Sequence, residues 1–206
     1  MQNSNRVIAY IDGYNLYHGI KERGWNRFLW LDVRMLVCQL LKPYQALVHT
    51  KYFTARSTGR QDSRKRQALY LDAIQTLPDT SLHFGKFKNL DRECPHCGFK
   101  DTVPVEKMTD VNISIQLLGD AFENRFDSAL LISGDSDLVP VVKAVRELDS
   151  AKRIIVAFPP GRHSKELQKC ATGAFMIGRD RFLKSQLPNP ATAGSGAVIV
   201  RPSEWT

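Results

Sequence analysis

A chain of 206 residues, 43% apolar and 24% charged, suits one domain with room for a small insertion; two full domains would be cramped, and disorder is not the default. Lysine and arginine outnumber aspartate and glutamate 29 to 21, and the net charge of +8 favours polyanionic partners such as nucleic acid or an anionic membrane. No apolar run approaches the ~20 residues of a membrane span, and the opening MQNSNRVIAYIDGYN has neither a basic n-region nor an unbroken h-region, so the chain reads as cytoplasmic, with no membrane partner.

Residues 6–12, RVIAYID, form a short apolar run rich in β-formers and closed by Gly13, which predicts a strand with a helical stretch to follow. In residues 32–44, Val33, Leu36, Val37, Leu40 and Leu41 keep the spacing of an amphipathic helix stopped by Pro43. Residues 46–55 alternate like a strand. Residues 60–77 begin polar and basic and become helical, and SLHFGKFKN, 81–89, reads as a third strand. The polar stretch 89–107, with a CxxC and two prolines, reads as an insertion. Residues 109–123 predict a helix with Thr109 as its N-cap, 128–133 a fourth strand, 137–148 its helix and 152–158 a fifth strand. Strand and helix alternate throughout, so the expected fold is an α/β three-layer sandwich around a mostly parallel central sheet. The domain is expected over 1–183; residues 184–206 read as a Pro/Gly-rich tail, a linker ending in a short β-like AVIV.

In an open parallel sheet, ligands bind beyond the carboxyl ends of the strands. Asp12 closes the first strand, Asp135 and Asp137 follow the fourth, and Asp110 opens the helix that feeds it. Crowded carboxylates repel unless a cation intervenes, and the hard oxygen set points to Mg²⁺ or Mn²⁺. The alternative is that each aspartate caps a helix, as Asp137 before LVPVVKAV and Asp110 in a first turn are placed to do. Asp12 and Asp135 argue against capping, because each is expected at a strand-to-loop junction with no helix start immediately beneath it. Asn15 has two open readings, a phosphate- or water-binding amide and a turn cap.

At these residues the chain resembles a known family. YIDGYNLYHGI, EKMTDVNISIQLLGDAF and LLISGDSDLVPVV are similar to the three signature segments of the bacterial NYN-domain family, relatives of the PIN-fold ribonucleases, over about residues 6–178. The resemblance implies a PIN-like, Rossmannoid fold and metal-dependent RNA cleavage, with Asp12, Asn15, Asp110, Asp135 and Asp137 on the motif positions of the acidic site. The chain departs from the family's Lys-Gly-X-Asp by reading KMTD, with Met108 in place of glycine.

Arg56, Arg60, Arg64, Lys65 and Arg66 follow the second strand near the same edge, either as a solvated helix start or as a phosphate-tracking arm that Lys86, Lys88 and Lys107 extend. Tyr14, Tyr17, Trp25 and Trp30 offer stacking faces for single-stranded bases, with the core the expected place for Trp30. Four cysteines, only two of them close together, do not make a secreted disulfide framework. Cys94 and Cys97 have the spacing of half a zinc knuckle; structural Zn²⁺, including a site shared across a homodimer, and a metal-free turn both remain open. The leading expectation is an endoribonuclease acting on single-stranded RNA through Mg²⁺ or Mn²⁺ held by Asp12, Asp110, Asp135 and Asp137. An RNA-binding regulatory protein with little or no catalysis comes second. A phosphatase acting on small molecules comes third, since no Gly-rich phosphate loop is visible.

Overall fold

The first strand, β1 (Asn5–Asp12), is apolar nearly throughout because both of its faces are covered. Val7, Ala9 and Ile11 pack into one core, and Ile8 and Tyr10 into the other. The structure is a computed structural model that describes residues 4–192 and 196–206. After β1 come α1 (Gly13–Glu22), α2 (Val33–Leu40), β2 (Gln45–Thr54), α3 (Gln61–Ile74) and β3 (Thr80–Phe84). β4 (Lys86–Glu93) and β5 (Lys100–Lys107) precede α4 (Thr109–Phe122), β6 (Ser128–Ile132), α5 (Val139–Leu148) and β7 (Arg153–Phe158). The chain continues through α6 (Lys165–Cys170), β8 (Gly173–Met176), α7 (Arg179–Leu183), β9 (Ala191–Thr192) and β10 (Val198–Ile199).

The central sheet has six strands in the order β3-β2-β1-β6-β7-β8, every neighbouring pair parallel. Buried residues of α1, α2, α3 and α7 cover one face, and those of α4, α5 and α6 cover the other. This is the expected three-layer α/β sandwich. With β1 and β6 adjacent and Ile11 paired to Ile132, the residues just after both strands emerge side by side.

Three segments depart from expectation. The run 81–89 is two strands, because the chain leaves the sheet at Gly85, where a Cβ would lie 2.7 Å from both the Lys107 carbonyl oxygen and the Thr109 hydroxyl. That close approach lets β4 pair antiparallel with β5 as a separate hairpin that carries the CxxC at its tip. β8, a sixth strand, is four residues long and opens with glycine, too short for an alternation to register. The described parts of the 184–206 segment, 184–192 and 196–206, do not hang free as a linker. Trp205 is buried against Trp30 and Tyr70, Glu204 pairs with Arg66 at 2.7 Å, and the Trp30 indole donates to the Pro188 carbonyl. One large aromatic outweighs the polar composition around it. Among the described residues, no helix is long and apolar enough to cross a membrane.

Candidate functional site

Two sequence-distant loops meet beyond the ends of β1 and β6. Asp12 is buried, 4% exposed, and both of its oxygens are engaged. Oδ1 accepts the Asn15 backbone N–H at 2.9 Å, and Oδ2 accepts the Ser133 hydroxyl at 2.9 Å. Ser133 Oγ also accepts the Asp135 N–H, and the Asn15 side-chain oxygen accepts the Gly134 N–H at 2.9 Å. That last bond orients the Asn15 amide with its oxygen inward and its N–H groups turned to the remaining side.

The capping alternative, set aside on sequence for Asp12 and Asp135, holds for both. α1 starts at Gly13, so Asp12 is its N-cap. Asp135 caps the 3₁₀ turn Ser136–Leu138 by accepting the Asp137 N–H at 3.0 Å. Thr109, expected to cap α4, is instead the first helical residue; Met108 occupies the cap position at φ 78°, and the Thr109 hydroxyl donates to Glu106 at 2.5 Å. The turn that usually takes glycine is therefore kept, with methionine held in the left-handed region.

Capping does not remove the electrostatic crowding. Burial raises the Asp12 carboxyl to about 7 against its hydrogen bonds, and the charges of Asp110 and Glu106 push it the same way. Burial also raises Asp110, with Asp135 and Asp137 adding to the effect, and it raises Glu106, with Asp110 adding to the effect. The structure thus brings Asp12, Asp110, Asp135 and Asp137 to one edge and adds Glu106, which the sequence reading missed. Its signal was the acid three residues before Thr109 in VEKMTD, hidden because it ends a strand inside the apparent insertion. Ser133 was also missed; it stands in LLISGDSD beside the residues singled out. Among the described residues, no three His, Cys, Asp or Glu side chains are gathered tightly enough to enclose a metal ion. The edge is an open set of acids rather than a closed cage.

The same test bears on the hairpin. Cys94 and Cys97 sit together at its tip, where N–H groups of His96 and Cys97 and the Cys97 thiol lower the Cys94 thiol, but a closed zinc site needs two ligands more. Cys38 and Cys170 lie on α2 and α6.

Of the basic arm, Arg56, Arg60, Arg64 and Lys65 are exposed, whereas Arg66 is half-buried and tied to Glu204 and Ser63. Arg66 is thereby drawn from the arm into the docking of the tail. Lys86, Lys88 and Lys107 are exposed at the base of the hairpin. Tyr14 is exposed and Tyr17 half-buried; Trp25 packs edge-on to Phe28 and Phe182, and Trp30 is fully buried.

The family model described as NYN domain matches residues 6–177 of this chain, from β1 to just past β8. The chain belongs to the NYN domain family. This NYN protein thereby falls in a nuclease-like superfamily. It is 28% identical over 175 residues to the 6-hydroxy-3-succinoylpyridine 3-monooxygenase of Pseudomonas putida, an alignment covering 68% of this chain and 55% of that protein. The chain thus spans about half the length of that curated relative. It also shares its fold with a crystal structure of a protein of unknown function from Vibrio parahaemolyticus, at a TM-score of 0.55 and 18% identity, with 91% of this chain and 99% of that one covered.

Proposed function

We propose that this NYN protein is a metal-dependent endoribonuclease that hydrolyses phosphodiester bonds of single-stranded RNA. The observation that carries the reading is the edge itself: five carboxylates from three separate segments, three of them raised by burial and by neighbouring carboxylates of the set, in a chain of net charge +8. A basic protein that concentrates acids at the mouth of a parallel sheet has a use for a cation there. The donors are all oxygen, which suits Mg²⁺ or Mn²⁺. Mg²⁺ keeps several waters and is commonly held through one or two carboxylates plus substrate phosphates, so an open set of acids fits it where an enclosing cage is lacking.

Asp12, Asp110, Asp135 and Asp137 would hold the ion, with Glu106 within electrostatic reach. When bound, such an ion neutralises phosphate charge and makes water a better nucleophile near neutral pH. The protein's own part is positional. Asp12 is fixed by Asn15 and Ser133, and Asn15 is turned by Gly134 so that its amide N–H groups can donate to a phosphate oxygen. Arg56, Arg60, Arg64 and Lys65 would supply sequence-independent affinity for the strand.

Binding without efficient chemistry is the second reading, favoured by Asp12 having both oxygens engaged and by the absence, among the described residues, of three acids around one point. Monooxygenation, the activity named for the Pseudomonas relative, is a third; dioxygen uptake with a hydroxypyridine would favour it. The deciding experiment is cleavage of single-stranded RNA with Mn²⁺ by the wild type and by an identically prepared Asp135→Asn protein. Loss of cleavage in the variant is expected. Equal cleavage by both removes the assignment, and RNA binding without cleavage under any divalent ion establishes the second reading.

A further inference from the structure

One peptide bond beyond Asp12, on the face covered by α1 and α3, lies a cavity of about 180 Å³. Six aromatic side chains, Tyr14, Tyr17, Tyr52, Tyr70, Phe87 and Trp205, share its walls with aliphatic and polar ones. Gly13 is the seam between this cavity and the acidic edge: a Cβ there would sit 2.5 Å from the Tyr52 Cζ, 2.6 Å from its hydroxyl and 2.7 Å from the Phe53 carbonyl oxygen. Any larger residue would displace the tyrosine that lines the cavity. Burial, and then the charge of Asp12, holds the Tyr52 hydroxyl protonated, so it faces the seam as a hydrogen-bond donor. The rim is also built. Gln67 accepts from the Ser57 N–H at 2.7 Å and donates to the Ala55 carbonyl at 2.9 Å. Ser57 and Gln67 also line a second, open groove of about 530 Å³ walled by Arg56, Arg64 and Lys65.

We propose that the aromatic cavity is a subsite for one pyrimidine base of an RNA strand whose phosphates run from the Arg56–Arg64–Lys65 groove to the acidic edge. The proposal rests on the ribonuclease reading above. Size favours the ring: a cavity of about 150 Å³ holds one benzene, and one of about 180 Å³ is matched more closely to a single six-membered ring than to the fused rings of a purine. Chemistry selects the source, because bases splayed from single-stranded RNA stack on aromatic side chains and a pyrimidine carbonyl would meet the Tyr52 donor. The neighbouring cationic groove supplies what a free ring would not need, a track for phosphates.

The test is calorimetric binding of uridylate and adenylate trinucleotides in the presence of chelator, where cleavage does not interfere. The wild type is expected to bind uridylate about tenfold more tightly. Ser63→Trp, which fills the cavity from α3, should abolish the difference, and Tyr17→Ala, which widens it, should raise adenylate affinity toward that of uridylate. Thermal melts confirm that both variants fold. Equal affinities in the wild type, or a preference that survives both substitutions, overturn the subsite. Cleavage without base preference would leave the ribonuclease reading standing and remove the subsite. A uridylate preference without cleavage would do the reverse. Capture of a free hydroxypyridine with no measurable trinucleotide binding would overturn the assignment to RNA.

Discussion

A carboxyl held at about 7 when an unfolded one titrates near 4 retains a proton in the native state across the window between those values. The unfolded chain releases that proton first, so the contribution of Asp12 to stability falls as pH rises from about 4 to about 7, by on the order of 4 kcal/mol at most. Asp12→Asn should therefore abolish RNA cleavage while flattening this part of the stability profile, and above pH 7 the variant should melt higher than the wild type in the absence of divalent ions. Urea unfolding at pH 5 and pH 8 checks it; a wild type and variant with parallel pH profiles would refute the buried, raised carboxyl. Met108 carries a different cost. Methionine at φ 78° is strained where glycine is not, so Met108→Gly should stabilise the fold by about 1 kcal/mol, a rise of some 2–4 °C in melting temperature. Both residues show what the sequence disclosed and what it concealed. The motif aspartates were legible because acids at strand ends are unusual. Their roles as caps were not, because whether a helix begins at Gly13 or a few residues later is a boundary that composition does not fix.

The arm and the hairpin belong to the scale of elements. Reversing Arg56, Arg64 and Lys65 to glutamate should weaken RNA binding and lower the slope of log affinity against log salt by about 3, roughly one per lost phosphate contact. Affinity titrations from 50 to 200 mM salt measure this directly; an unchanged slope would return these side chains to ordinary solvated surface. Arg66 should act separately, through the melting temperature rather than the salt slope, because it holds Glu204. The strands β1, β2, β6 and β7 were readable because their apolar runs are strong and bounded by turn residues. The split at Gly85 was not, because SLHFGKFKN is one plausible strand until its far half finds β5 as a partner. Glu106 was lost with it: a residue is hard to recognise as part of a site when its strand has been set aside as an insertion.

At the scale of the molecule, the tail and the layer that carries α2 and α3 depend on each other through aromatic packing. Trp205 packs against both Trp30 and Tyr70, so Trp205→Ala should cost about 3 kcal/mol and lower the melting temperature by about 8 °C. A variant that melts with the wild type would mean that the tail packs without holding anything. Low-complexity composition around PNPATAGSG concealed this, since a linker reading weighs averages and a docking tail needs only one anchor. The stitching of the two site loops has a consequence in time rather than space. The Asp12–Ser133 and Asn15–Gly134 bonds join residues 121 and 119 positions apart, one partner near the start of the chain and the other past its middle. Contacts so distant in sequence close late, after β6 has inserted beside β1. During synthesis, a chain that has not yet released Ser133 and Gly134 carries Asp12 and Asn15 with no frame to aim them, so the acidic edge comes into being only once most of the protein is made.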